Sequence, residues 1–246
     1  MDPEYAARYR RLHANHWWWR AREAFIMDVL ERRRVAGPAD GRILDVGCGD
    51  GLLFERLSRY GEVEGVEPDR ASVTPDGRWS SRITVGPFDD TFDPGHRFAQ
   101  VLMLDVLEHV ADPSAMLRRA MEVLEPGGFA IVTVPALPAL WTRHDVLNHH
   151  HVRYTRTALE ARAVEAGARV ESARYFFHWL APVKLAVRLK ESLVRAEPRS
   201  PEIPPRWLNA ALASMSRAEQ LTVSRLPVPF GSSLLAVLVP ATPERS

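Results

Sequence analysis

The sequence is poor in features that would place it at a glance. It has one cysteine, Cys48, so an internal disulfide framework is excluded and a reducing compartment is implied. It has almost no net charge. Thirty-two lysines and arginines against 31 acids leave +1, too little for the broad field that draws a protein to nucleic acid. No apolar run approaches the roughly 20 residues that span a bilayer. The N-terminus has no uninterrupted apolar core of the kind a signal peptide needs. There is no internal repeat and no long low-complexity tract. A phosphate-binding G-K-S/T is missing, which excludes a P-loop. These absences point to a soluble, cytoplasmic chain whose 246 residues suffice for one α/β domain with an extra subdomain.

What is present is organised around Ile43-Leu44-Asp45-Val46-Gly47-Cys48-Gly49-Asp50-Gly51. An apolar run ends in an acid, glycine then takes every second position, and Leu52-Leu53-Phe54 opens a helical pattern. This reads as a buried strand, a tight turn and a helix start, the usual nucleotide-binding corner of an open α/β sheet. The spacing departs from the dinucleotide fingerprint G-x-G-x-x-G, because the third glycine is Gly51 and position 52 is Leu.

Along the chain, residues 3–34 read as helical, with Tyr5, Tyr9, Leu12 and His16 on one pattern and Trp18, Ala21, Phe25 and Val29 on a second. Between them lies Trp17-Trp18-Trp19, which cannot all face one side of a helix. They either dock this helix on the sheet or line a pocket beneath a lid. Arg32-Arg33-Arg34 suits a helix C-terminus, and Gly37-Pro38 breaks the pattern. Strands are expected at 42–46, 63–66, 83–85, 98–104, 129–134, 170–177 and 233–239. Asp112-Pro113 predicts a capped helix start, and Thr157 with Glu160 a capping box. Residues 135–154 show no period. Residues 183–195 and 205–224 read as two helices split by a proline-rich linker, Pro198 to Pro205, where a simple sheet would make one tight return. The expected organisation is an N-terminal helical lid (1–37), a sheet domain (38–179), a helical cap (180–228), and a last strand with tail (229–246). Alternating strands and helices give a doubly wound sheet.

Asp45-Val46-Gly47-Cys48-Gly49-Asp50-Gly51 resembles the first motif of class I methyltransferases that use S-adenosylmethionine (SAM). Leu104-Asp105-Val106-Leu107-Glu108-His109-Val110 resembles their segment after the fourth strand, and Leu124-Glu125-Pro126-Gly127-Gly128 the turn before the fifth. His144-Asp145, the histidines after it, Arg153-Tyr154-Thr155 and the closing Leu226 to Ser233 are similar to a small-molecule subgroup related to the ubiquinone-biosynthesis O-methyltransferases. The resemblance implies a Rossmann-like sheet of seven strands with the last antiparallel. It implies SAM as cofactor and S-adenosylhomocysteine (SAH) as product. The cofactor would rest on Asp45, Gly47, Cys48, Gly49 and Gly51, with Glu67 and Pro68 at the ribose. Phe88 and Asp89 would meet the adenine, and Leu104, Asp105 and Val106 would lie beside the methyl group.

The implied acceptor is a small molecule methylated at oxygen or nitrogen. Absence of an N/D-P-P-Y motif argues against adenine- and amide-nitrogen enzymes, and the low charge against nucleic acid. Methylation of an activated carbon, and a SAM-binding scaffold without turnover, stand as alternatives. Histidine suits a base for a hydroxyl acceptor, so His144 and His150 are the candidates, with Asp145 beside them. His144, Asp145 and His150 have the atom types of a metal site without a defined ligand spacing, and no metal is expected. Trp18, Trp19, His109 and Glu219 are candidate acceptor contacts. Glu219 lies on the otherwise apolar stripe Leu208, Leu212, Met215, Thr222 and Leu226, where a buried carboxylate needs a partner such as an arginine. Lys184, Arg188, Lys190 and Arg195 among aliphatic residues suggest a basic interfacial helix in peripheral membrane contact. The apolar positions there spread around the helix, so packing on the sheet is the expectation.

Overall fold

The computed structural model describes residues 10–36, 41–193, 202–223 and 226–241. Tyr5, Tyr9, Gly37-Pro38, Arg195 and the start of the linker at Pro198 lie outside the described residues.

The strands are β1 (Arg42–Val46), β2 (Glu62–Glu67), β3 (Ile83–Val85), β4 (Phe98–Leu104), β5 (Leu124–Pro135), β6 (Ala168–Phe176) and β7 (Ser233–Pro240). They form one seven-stranded sheet in the order β3-β2-β1-β4-β5-β7-β6. The pairs β1–β2, β1–β4, β2–β3 and β4–β5 are parallel. Only β7 runs against its neighbours, β5 and β6, as the resemblance implied. From β1 the chain moves outward to β2 and β3, then returns to lay β4 on the other side. That reversal opens a crevice at the carboxyl ends of β1 and β4, where open α/β sheets bind ligands.

The helices are α1 (Trp17–Ala36), α2 (Phe54–Leu57), α3 (Pro113–Val123), α4 (Arg143–Leu147), α5 (Arg156–Glu165), α6 (Leu180–Leu193) and α7 (Arg206–Leu221), and residues 10–15 are also helical. Alternate residues of each central strand feed two cores, as a pleat requires. Leu44, Met103 and Val132 pack with Leu117 of α3 and Leu159 of α5 on one face. Ile43, Leu102 and Ile131 pack with Phe25 and Ile26 of α1 and Phe54 of α2 on the other. The α3 start follows the expected cap, with Ala115 N donating to Asp112 Oδ1 at 2.9 Å. The α5 cap falls two residues earlier than expected. Thr155 takes the Ala158 N–H at 3.1 Å, so Thr157 is already inside the helix. The aperiodic stretch after β5 contains the five-residue helix α4, too short to show a period.

Helix α1 and helix α7 brace each other. Trp17 N donates to Asn209 Oδ1, Asn209 Nδ2 to Asn15 O (both 2.9 Å), and Gln220 Nε2 to Ala24 O at 2.7 Å. Trp17 is the tryptophan that docks this assembly, buried against Phe177 and Trp179. No helix among the described residues is long and apolar enough to cross a membrane.

Candidate active site

The turn after β1 is built for close backbone approach. Gly47, Gly49 and Gly51 take φ of +72°, +55° and +69°, which side chains resist. A Cβ placed on Gly49 would meet nothing within 4 Å, so this face of the turn is open. Its underside is closed. A Cβ on Gly65 of β2 would lie 2.4 Å from Cys48 Sγ, so Cys48 packs directly on the β2 backbone. Burial pushes the Cys48 thiol well above its ordinary pKa and keeps it inert.

Glu67, buried at the end of β2, ties the corner together. Gly49 N donates to its Oε2 and Asp69 N to its Oε1, both at 2.9 Å. Each oxygen retains a further acceptor direction, the requirement for two ribose hydroxyls. Asp50 takes Thr74 N at 2.9 Å, Thr74 Oγ1 at 2.8 Å and Arg10 Nη1 at 3.0 Å, so it fixes the loop rather than facing a ligand. Pro68 is exposed at the strand end. Asp45 is buried, and burial, opposed by Arg22 and reinforced by Glu67, raises its pKa to about 7.

The end of β4 closes the other side. Asp105 sits at φ +57°, and its Oδ1 accepts from Thr133 Oγ1 at 3.2 Å. Leu104 and Val106 flank it half-buried, and a Cβ on Gly47 would stand 3.0 Å from Val106 Cγ2. The sequence reading missed Arg22 of α1, which reaches in to pair with Asp105 at 2.6 Å and lies 5.6 Å from the Trp18 ring centroid. Its one sequence signal is the four-residue spacing from Trp18, which puts both on one helix face.

The residues expected to meet the adenine make contacts within their own loop. Phe88 turns into the core against Phe92, with ring centroids 5.4 Å apart. Asp89 is exposed and takes Thr91 N at 2.8 Å and Thr91 Oγ1 at 2.6 Å, bonds that hold its carboxyl below the usual range. A short polar side chain two residues before a bonding partner folds back on its own loop.

The loop after β5, where the acceptor is expected, is assembled from side chains. Asp145, fully buried, is the hub of the loop after β5. Its Oδ1 meets His150 Nδ1 at 2.9 Å and Arg153 Nε at 2.8 Å, and its Oδ2 takes Thr142 N at 2.8 Å. Burial would raise the carboxyl, but the bonds from His150, Arg153 and Thr142 outweigh it and hold Asp145 well below the carboxylate range. His150 Nε2 is then left to face Glu108, 4.0 Å away. Glu108 is fully buried, and neither carboxylate oxygen accepts a hydrogen bond among the described residues. Burial, with Asp105 nearby, raises it far above its ordinary value. The exposed His109 ring stands edge-on to His150 at 4.9 Å. Glu108, His109 and His150 offer ligand atoms all within 4.8 Å of one another.

His144 does not join this group. It is exposed on α4, its Nε2 2.9 Å from the Asn148 amide. Lys184 of α6 approaches from the cap, its pKa lowered to about 8 by burial and by Arg153, against Asp145 and Asp105. Trp18 is half-buried over Arg22, with Trp19 edge-on at 5.2 Å. Glu219 of α7 pairs with no arginine among the described residues. Its Oε2 takes the Trp179 backbone N–H at 3.4 Å, so it supports the α6 start rather than an acceptor.

The open glycine turn and the doubly held acid at the end of β2 fit SAM. The sequence relatives agree with that chemistry over part of their length. The chain is 37% identical over 159 residues to the ubiquinone biosynthesis O-methyltransferase of Azorhizobium caulinodans, covering 54% of this chain and 62% of that protein. It is 41% identical over 157 residues to the protein of the same name from Cereibacter sphaeroides, covering 53% and 63%. The chain thus spans less than two thirds of the length of these relatives. A solved chain from the complex between the Haloferax volcanii Trm112 methyltransferase activator and a methyltransferase has TM-score 0.58 and 20% identity, covering 99% of this chain and 97% of that one, a likeness of fold. A family model described as a methyltransferase domain matches residues 18–173, more than half of the sequence, and the chain belongs to that family.

Proposed function

We propose that this chain transfers the methyl group of SAM to a hydroxyl oxygen of a small molecule, in quinone-like or specialised metabolism, with His150 as the base. The observation that carries this reading is the Asp145–His150 pair, 2.9 Å apart, at the same sheet edge as the glycine turn. SAM supplies an activated methyl group, so the protein's task is alignment and proton removal, and alignment alone can contribute several kcal/mol. Asp145 accepts from Nδ1–H and fixes the tautomer in which Nε2 is the acceptor. Nε2 takes the hydroxyl proton as the oxygen attacks. Arg22 carries positive charge to the end of β4, suited to the methionyl carboxylate. In this reading residues 10–36, braced by α7, serve as a cover beside the crevice. The relatives' names support oxygen as the atom methylated.

The test is transfer of labelled methyl from SAM into a panel of polyhydroxylated aromatic acceptors and a metabolite extract, with product atoms assigned by NMR. Label on oxygen that is lost in His150→Ala supports the reading. Label on carbon or nitrogen overturns it.

The cluster of Glu108, His109 and His150 favours one second reading, a divalent cation that binds the acceptor oxygens and lowers the hydroxyl pKa. The unpartnered Glu108 carboxyl is what this reading explains best. Loss of activity on EDTA dialysis and its return with a divalent ion would establish it over the general base.

A further inference from the structure

Helix α6 is amphipathic in the reverse sense. At 3.6 residues per turn, Lys184, Arg188 and Glu191 share one face. The structure turns that polar face toward the domain. Arg188 Nη1 donates to Pro138 O at 2.9 Å. Arg143 N donates to Glu191 Oε2 at 2.9 Å, and Arg143 Nη2 to Glu191 O at 2.9 Å. Lys184, on the same face, is half-buried.

The aliphatic residues take the opposite arc. Val183, Leu185, Val187, Leu189 and Leu193 are 42 to 86% exposed, and none of them packs into either core. This overturns the expectation that α6 packs its apolar residues on the sheet. A surface helix normally buries its apolar stripe, and a contiguous exposed one marks an interaction surface.

The arc's chemistry selects the occupant. Its aliphatic residues are joined by the exposed Lys190, with Arg188 at the flank. The acid of the helix, Glu191, is half-buried and engaged by Arg143. The exposed charge along α6 is therefore of one sign. Aliphatic side chains bordered by cations suit the boundary between acyl chains and anionic headgroups. A protein partner fits less well. Interface cores favour aromatic residues and disfavour lysine, and a stable dimer needs about 20–30 residues a side where this surface is one face of one helix.

We propose that α6 is an interfacial helix that seats the protein on an anionic lipid surface. The apolar arc enters the acyl boundary and Lys190 meets lipid phosphates. The helix lies on the surface without crossing it. This proposal stands apart from the acceptor reading, since its test reads no methyl transfer.

The experiment is co-sedimentation of the purified full chain with equimolar phosphatidylcholine–phosphatidylglycerol vesicles and with phosphatidylcholine vesicles. The wild type is expected to bind the anionic vesicles, with binding that weakens as salt rises. Leu185→Glu/Leu189→Glu should reduce binding about tenfold or more, the worth of two exposed leucines no longer buried in lipid. Lys190→Glu, which leaves the apolar arc intact, should reduce it about fivefold or more on anionic vesicles only. SAH binding by calorimetry and the thermal melt should match the wild type in both variants, because these side chains touch neither core nor crevice. Absence of binding to anionic vesicles overturns the proposal, as does binding that neither variant changes. A wild-type dimer in sedimentation velocity that Leu185→Glu/Leu189→Glu dissociates, without vesicle binding, would assign the arc to a second copy instead.

Discussion

The two sides of the crevice are made of different material. The cofactor side is mostly backbone, with three glycines at positive φ and a single carboxylate held by two amides. Its parts lie within one β-turn-helix-β stretch. The proposed acceptor side is mostly side chains brought from distant segments. Arg22 meets Asp105 across 83 residues (105 − 22), and Glu108 meets His150 across 42 (150 − 108). A site made of backbone depends on local conformation and binds. A site made of convergent side chains depends on the whole fold and adjusts protons. Substitutions should separate along the same line, affinity on one side and turnover on the other.

The sharpest break is His150→Ala. Turnover should fall about 10²–10⁴-fold, the usual worth of a positioned base, with SAH affinity by calorimetry nearly unchanged. Single-turnover methylation at wild-type rate would remove His150 from the chemistry.

Arg22 tests whether the two sides are independent, since it belongs to α1 and reaches the end of β4. Arg22→Ala should leave Asp105 without its cation and cost on the order of 3 kcal/mol, because the pair is largely buried. SAM affinity and turnover should fall together, unlike in any other variant considered. A loss confined to one of the two would mean that Arg22 serves that side alone.

A pH effect sharpens the cofactor side. Asp45 titrates near 7 in the folded chain against an ordinary 3.8. Between those values the folded state holds a proton that the unfolded state has released, so stability from this group falls as pH rises from about 4 to 7. His13 and His16, lowered to about 4 mainly by burial, act in the opposite direction over part of that range. The signature is therefore a difference. Urea midpoints of Asp45→Asn should rise relative to wild type between pH 5 and pH 8, by up to a few kcal/mol in stability. Parallel pH profiles for the two proteins would count against a protonated Asp45.

The smallest expected effect is Glu67→Ala. Hydrogen bonds to a charged group are worth roughly 1.5–3 kcal/mol, so SAM affinity should drop about tenfold or more while the rate at saturation holds. Unchanged affinity in calorimetry would place the ribose elsewhere.

The same division governs what the sequence makes legible. The glycine turn, Glu67, the Asp112 cap and the β4 strand are all written in short stretches, and each lies where its stretch predicts. The loop after β3 satisfies itself, Phe88 through Phe92 and Asp89 through Thr91, four and two residues on, a local pairing that the motif does not announce. Helix α4 is hidden by its length. Arg22 and Glu108 owe their importance to partners that only the fold supplies, and no spacing rule reaches so far. Helix α6 is the converse case. Its aliphatic positions spread over more than half of the helical wheel, and such a pattern does not tell which side meets the domain.

The position of β7 carries a consequence for how the chain is made. β7 lies between β5 and β6 and pairs with both. Both neighbours leave the ribosome first, and the cap helices α6 and α7 are synthesised before β7 follows. At elongation rates of about 5–20 residues per second, that interval lasts on the order of several seconds. During it the nascent sheet has a gap rather than an end, with two unpaired strand edges open to any extended chain nearby. Slower translation after β6 lengthens that exposure, and the yield of folded protein should respond to synonymous codon changes in this interval more than to those before β4.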